Sequence, residues 1–141
     1  MTERTGGCAC GAVRFKITAA LLGTGACHCT DCQKASGGAA NYVALAPASA
    51  FEVTKGQPRV FDSKGDSGAD VGRAFCADCG TPLWSTRPDM PFLPVYVAAF
   101  DDATDLAPQM HLYVSSAPKW HLMEEGLPKF PKMPPGPPPG R

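Results

Sequence analysis

No excess of charge of either sign is present in this sequence: Lys plus Arg and Asp plus Glu both number 13, for a formal net charge of zero. Proteins that grip nucleic acid normally carry a basic excess to neutralise phosphates. The balance therefore argues against a nucleic-acid partner and against adhesion to an anionic membrane surface. Long hydrophobic runs are also missing. The longest apolar stretches, such as Val95 to Phe100, fall far short of the ~20 residues that a spanning helix needs. No apolar run follows the opening Met1-Thr2-Glu3-Arg4-Thr5-Gly6-Gly7, so the reading expects no secretory leader and a cytoplasmic protein. Histidine is scarce, with three residues in all, which limits what imidazole can build.

What is abundant is glycine and proline, 15 of each in 141 residues, a composition that suits short strands and many turns better than long helices. The length fits one domain with a single core, burying roughly two thirds of its unfolded surface. Val13, Phe15 and Ile17 alternate with Arg14 and Lys16, the period-2 pattern of a half-buried strand. Further strands are expected at Tyr42 to Leu45, Phe51 to Thr54, Arg59 to Asp62, Leu93 to Phe100 and His111 to Val114. Turn-forming runs such as Lys55-Gly56-Gln57-Pro58 and Lys64-Gly65-Asp66-Ser67-Gly68 separate them. One helical turn is expected, from Thr30 to Ser36, stopped by Gly37-Gly38. Trp84, Trp120 and Tyr42 read as core aromatics. The expected class is mainly β, with a domain over residues 1–126. The Pro-rich segment 127–141 cannot continue a ladder or helix and reads as a flexible or polyproline II tail.

Seven cysteines stand out. In a reducing compartment they are metal ligands or catalysts rather than disulfides, and an odd number excludes complete internal pairing. They fall into three clusters: Cys8-Ala9-Cys10-Gly11, Cys27-His28-Cys29-Thr30-Asp31-Cys32, and Cys76-Ala77-Asp78-Cys79-Gly80. Tetrahedral zinc takes four ligands. The first and third clusters contribute two sulfurs each and complete one closed, structural set. The middle cluster then has three sulfurs and one open position, which is the pattern of a catalytic zinc. Two alternatives stand beside this. The middle cluster could close by recruiting His28, His111 or His121, although in extended backbone His28 points away from Cys27 and Cys29. A rubredoxin-like iron site is the other, although such sites use two CxxC knuckles.

At these residues the chain resembles the glutathione-dependent formaldehyde-activating enzyme family, which includes the centromere protein V type domains. The matching runs are Gly7-Cys8-Ala9-Cys10-Gly11-Ala12-Val13-Arg14-Phe15 and Cys27-His28-Cys29-Thr30-Asp31-Cys32. Ser36-Gly37-Gly38, Phe75-Cys76-Ala77-Asp78-Cys79-Gly80-Thr81-Pro82-Leu83 and Ser116-Ala117-Pro118-Lys119-Trp120 follow in order. The resemblance implies small twisted sheets around zinc-binding cysteine knuckles, similar to the methionine sulfoxide reductase B fold. It implies two zinc ions per chain, a structural one on Cys8, Cys10, Cys76 and Cys79, and a second, active-site ion on Cys27, Cys29 and Cys32. The implied activity is that of a carbon–sulfur lyase, condensing formaldehyde with glutathione to S-(hydroxymethyl)glutathione. A small-molecule thiol is thus the implied partner. Zinc with three thiolates carries a net charge of −1 and is a soft site suited to a fourth sulfur. Asp31 and His28, inside the cluster, could relay a proton, and the amides at Ser36-Gly37-Gly38 could meet a substrate carboxylate. A non-catalytic two-zinc scaffold is the competing function.

Overall fold

Alternation of apolar and charged side chains builds the smaller of two sheets. In the computed structural model, which describes residues 3–136, β1 (Arg4–Gly7), β2 (Arg14–Ile17) and, further along, a strand at Phe51–Lys55 pair antiparallel with β2 in the middle. Phe15 and Ile17 turn inward and are almost wholly buried. Arg14 and Lys16 turn outward to ion pairs with Asp101 and Glu52. Phe15 stacks on Phe51 at 5.5 Å and meets Trp84 and Phe100 edge-on at 5.9 and 5.6 Å. Truncating an aromatic so placed typically costs about 3–5 kcal/mol.

The larger sheet has seven strands. In chain order they are β3 (Gly23–Cys27), β4 (Asn41–Pro47), β6 (Arg59–Lys64), β7 (Asp70–Phe75), β8 (Pro82–Thr86), β9 (Phe92–Tyr96) and β10 (His111–Leu112), with Phe51–Lys55 being β5. Their spatial order is β10-β3-β4-β9-β8-β7-β6, antiparallel throughout except where β10 runs parallel to β3. Between the two sheets lie Ala44, Ala46, Leu83, Trp84 and Val95. The mainly β expectation holds. The one α-helix among the described residues, α1 (Thr30–Ser36), matches the expected turn, and Gly37 ends it at φ 70°, a conformation that costs a β-carbon-bearing residue more than glycine.

Several elements differ from expectation. The strand expected to reach Phe100 stops at Tyr96 and tightens into a 3-10 turn at Val97–Ala99. The one expected at His111 to Val114 ends after Leu112, because Tyr113 takes a left-handed φ of 56°. β1, β3, β7 and β8 carry glycine or proline that masks alternation, and cross-strand pairing overrides the weak local preference. Trp84 is core, but Trp120 is 74% exposed and Tyr42 38%.

The Pro-rich segment also needs correction. His111 N–H donates to the Pro128 carbonyl and Phe130 N–H to the His111 carbonyl, so the chain near Lys129 bridges parallel to β10. Tyr113 N–H reaches the Lys132 carbonyl, and Lys132 pairs with Asp66 at 3.2 Å. Prolines lack N–H donors, but their carbonyls accept and the intervening Phe130 donates, which suffices for an edge bridge. The domain therefore runs past residue 126 to at least Lys132. Residues 137–141 of the expected tail lie outside the described residues.

Candidate metal centres and the adjoining cleft

Two turns at one end of the molecule bring four cysteines together. The β1–β2 turn carries Cys8 and Cys10; the β7–β8 turn carries Cys76 and Cys79. The turns are built alike. Cys8 N–H donates to Val13 O at 3.1 Å and Cys76 N–H to Thr81 O at 3.0 Å. Each is closed by a glycine amide on the cysteine carbonyl, Gly11 to Cys8 and Gly80 to Cys76. Gly80 has φ 76°, which a glycine adopts without strain. Ala9 N–H donates to Thr81 Oγ1 at 3.1 Å and laces one turn to the other.

The sulfur spacing suits an ion. Cys8 Sγ and Cys10 Sγ are 3.6 Å apart, Cys10 Sγ and Cys76 Sγ 3.7 Å, and all four lie within 4.8 Å of one another. A tetrahedral zinc with bonds of about 2.3 Å sets its sulfurs about 3.8 Å apart. Burial pushes the Cys8 thiol up, but the Val13 N–H, which donates to Cys8 Sγ at 3.2 Å, and hydrogen bonds with Cys10 and Cys76 together lower it. Hydrogen bonding by the Thr81 hydroxyl, aided by its amide, holds Cys79 down to about 5. Cys10 accepts help from the Ala12 amide, yet its crowding against Cys79 and Cys8 pushes it up to about 12. Four sulfurs so close ionise together only around a cation.

The middle cluster forms where β3 runs into α1. Cys27, Cys29 and Cys32 place their sulfurs within 4.8 Å of one another. Cys29 is the N-cap of α1, and Cys32 N–H donates to its Sγ at 3.3 Å. Cys29 falls to about 2 as it accepts from the Cys27 and Cys32 thiols, with that amide and the Arg73 charge assisting. Cys27 is driven up by donating to the same two sulfurs and by burial. Cys32 is lowered by Cys27, but Cys29 and burial push it up to about 11. One sulfur therefore ionises easily and the others resist, again a donor set that a cation completes.

No histidine joins this trio. His28 is fully buried and turned to His111, with Nε2 to Nδ1 at 2.9 Å, and His111 Nε2 meets Glu124 Oε2 at 2.6 Å. The His121 ring lies 5.0 Å from that of His28. Gln33 Nε2 donates to the carbonyls of His28 and Ser116, tying the cluster's loop to the segment after β10. The glycine stop beyond α1 has no free amide, since Gly37 N–H bonds Gln33 O and Gly38 N–H bonds Ser36 Oγ. A substrate carboxylate finds no amide there.

Beside the trio lies a cleft of about 330 Å³. Asp31 and Lys34 of α1 face Phe61 of β6, Arg73 of β7 and Tyr96 of β9 across it. None of the three sulfurs lines it; Asp31, next to Cys32, and the Arg73 charge acting on Cys29 and Cys32 link the two. Tyr96 Oη shares a hydrogen bond with Ser85 Oγ at 2.9 Å, and burial raises its phenol. Reading the sequence for cysteines missed Phe61, Arg73 and Tyr96. They come from three strands, and only the register that sets Phe61 opposite Arg73 brings them together.

The fold and its clustered sulfurs define a mainly β protein with two cysteine sets that could each hold a metal ion. The family model for the glutathione-dependent formaldehyde-activating enzyme matches residues 3–116, and the chain belongs to that family. A protein of Halomonas elongata, provisionally named a glutathione-dependent formaldehyde-activating enzyme, is 29% identical over 125 residues, 84% of this chain and 80% of its own length. The crystal structure of a Rhodobacter sphaeroides protein superposes with a TM-score of 0.57 at 21% identity, covering 89% of this chain and 98% of that one. That likeness speaks to the fold. Among the described residues no helix is long and apolar enough to cross a membrane.

Proposed function

We propose that the protein is a zinc-dependent carbon–sulfur lyase that joins a thiol to formaldehyde, with glutathione the thiol that the family name supplies. The observation that carries this reading is the middle trio, whose one neighbouring histidine, His28, is engaged by His111 instead of the sulfurs. Cys8, Cys10, Cys76 and Cys79 would hold a closed structural zinc. Cys27, Cys29 and Cys32 would hold the second. A zinc ion there would supply a soft cationic position at which a substrate thiol ionises near neutral pH.

The chain's own residues do the rest. Arg73 draws an anionic substrate toward the trio, and the cleft walls hold the thiol against the aldehyde, so that proximity carries much of the rate. The sulfur lone pair forms the new C–S bond as the C=O π pair moves onto oxygen. The thiol's proton leaves and the alkoxide takes one up, so the step is redox-neutral and runs equally in reverse. Asp31 and the Tyr96 hydroxyl are the cleft groups able to exchange that proton. The absence of charge excess and of long apolar runs, together with free cysteines, fits a cytoplasmic enzyme.

The test is metal content by mass spectrometry, followed by cobalt substitution and addition of glutathione. Two ions per chain are expected, and the thiol should perturb the visible bands of one alone. A cobalt spectrum indifferent to millimolar thiol would favour the scaffold reading.

A further inference from the structure

Tyr113 is the one residue other than glycine with a left-handed backbone among the described residues, at φ 56° and ψ 40°. A side-chain-bearing residue adopts that conformation at a cost, and it persists only where the surroundings enforce it. Here they do. Tyr113 N–H donates to the Lys132 carbonyl, Val114 N–H to that of Phe130 and Ser115 N–H to that of Pro131, while Ser116 N–H closes the turn on the Tyr113 carbonyl at 3.0 Å. The segment beyond residue 126 therefore holds the kink from one side. From the other, Gln33 of α1 donates to the carbonyls of His28 and Ser116, and His28 N–H donates to Leu112 O at 2.9 Å. The turn is clamped between that segment and the loop that carries the trio.

The kink decides where the ring goes. In β10, His111 lies opposite Ala26 and Leu112 opposite Cys27. Side chains alternate across a strand, so an extended Tyr113 would follow His111 onto the face that buries the histidines. The left-handed turn takes it off that face. The charges of Cys27 and Cys29 both reach its phenol, whereas the Arg73 charge acts on Cys29 and Cys32. Phenol and cleft thus flank the trio from different sulfurs. The Tyr113 hydroxyl has no hydrogen-bond partner among the described residues, unlike that of Tyr96, which is shared with Ser85. Burial, with the charges of Asp66, Cys27 and Cys29, raises the Tyr113 phenol, so at neutral pH it is a neutral O–H with a hydrogen to donate.

We propose that Tyr113 is a catalytic residue of the thiol–aldehyde reaction, its hydroxyl donating a hydrogen bond to the aldehyde oxygen of a substrate held at the open side of the middle trio. This rests on the lyase reading of that trio, and names the group that meets the developing charge. As the thiol sulfur forms the C–S bond, the C=O π pair moves onto oxygen. The proton lost by the thiol ends on that oxygen, and Tyr113 keeps its own. Three negative sulfurs nearby disfavour a further negative charge, and a donor fixed in advance is worth most at such a point.

The experiment compares zinc-loaded full chains, native, Tyr113→Phe and Tyr113→Gly. It reads by NMR magnetisation transfer how fast formaldehyde and glutathione exchange with S-(hydroxymethyl)glutathione. Cobalt-substituted samples of the same chains report thiol binding through their visible bands. Tyr113→Phe, which keeps the ring, should lower kcat about 100-fold and leave KM and the cobalt response to glutathione unchanged, the pattern of an interaction made only in the transition state. Tyr113→Gly takes the left-handed turn freely and should lose at least as much rate, so that relief of the backbone cost restores nothing. A Tyr113→Phe chain with native kcat would overturn the proposal and leave the lyase reading intact. Loss of the cobalt response along with the rate would overturn it too, since Tyr113 would then hold the centre rather than meet the oxygen. If the native chain accelerates no exchange while glutathione still shifts the cobalt bands, the lyase reading falls, and the proposal with it.

Discussion

His28 Nε2 lies 2.9 Å from His111 Nδ1, and the far nitrogen of His111 lies 2.6 Å from Glu124. An ionised carboxylate only accepts, so the network assigns the His111 proton to Nε2 and leaves Nδ1 to accept from His28 Nε2–H. Burial, with the neighbouring His111 and His121, lowers His28 from 6.5 to about 4. Between those values the unfolded chain binds a proton that the folded chain refuses. Stability from neutral His28 is therefore complete above pH 6.5 and declines as pH falls toward 4, by at most about 3 kcal/mol. Thermal melts across that window should show a steeper loss for the native protein than for His28→Gln, zinc supplied equally to both. Parallel slopes would refute a buried neutral His28.

The two cysteine sets should differ in what their loss does. Cys8 and Cys76 are buried, and the four-sulfur set joins the β1–β2 and β7–β8 turns across the core edge. Structural zinc can contribute on the order of 10 kcal/mol to folding. Cys76→Ser should therefore lower the melting temperature severely. Cys32→Ser should cost much less, since Phe15, Ile17 and Trp84 still form the core. Equal losses in the two variants would assign both centres the same structural part.

Lability should separate the centres as well. Four protein sulfurs leave an ion coordinatively full, whereas three leave an opening through which a chelator can attack. A mild chelator should withdraw one zinc per chain well before the second, with Cys32→Ser protein showing only the slow phase. A single phase releasing both ions would count against one open centre.

The cysteine sets were legible because ligand spacing is local: CxC and CxxC each put two sulfurs on one turn, and the count of four ligands joined the first and third clusters, which the fold brings within 4.8 Å. The alternation of Phe15 and Ile17 was equally plain. By contrast, nothing local in Asp-Val-Gly-Arg-Ala-Phe marks β7, where glycine interrupts the pattern and neighbours on both sides supply the order. Arg73 was hidden for the same reason, as was Glu124, thirteen residues from the histidine it holds. Counting prolines after residue 126 misjudged the segment near Lys129, because the bridge to His111 uses the few N–H groups between them.

That bridge can be tested by truncation. A chain ending at Gly126 loses five backbone hydrogen bonds, two between His111 and Pro128 or Phe130 and three from Tyr113, Val114 and Ser115 to the carbonyls of Lys132, Phe130 and Pro131, together with the Lys132–Asp66 pair. It also bares the strand that holds His111. Each backbone bond contributes about 1 kcal/mol net, and the exposed ion pair less. A loss of about 4–5 kcal/mol is expected in a denaturant titration relative to a chain ending at Gly136. Equal stability of the two chains would make the bridge dispensable.

Thiol binding at the middle centre should release a proton. Cys27, Cys29 and Cys32 offer three sulfurs, and a soft centre of this kind favours a fourth. Only the ionised thiol is a good ligand, so a thiol that is mostly protonated at neutral pH must lose its hydrogen on entry. Calorimetry with glutathione in two buffers of different ionisation enthalpy should give apparent enthalpies that differ by close to one proton's worth of buffer heat. S-methylglutathione, which has no proton to lose and a poorer donor sulfur, should bind far more weakly and show no buffer dependence. Cys29→Ser protein should lose the proton signal even if some peptide affinity persists, because Cys29 both caps α1 and is the sulfur most readily ionised. Identical enthalpies in the two buffers, with binding still measurable, would mean that glutathione is held by its body rather than its sulfur. The lyase reading would then give way to the scaffold.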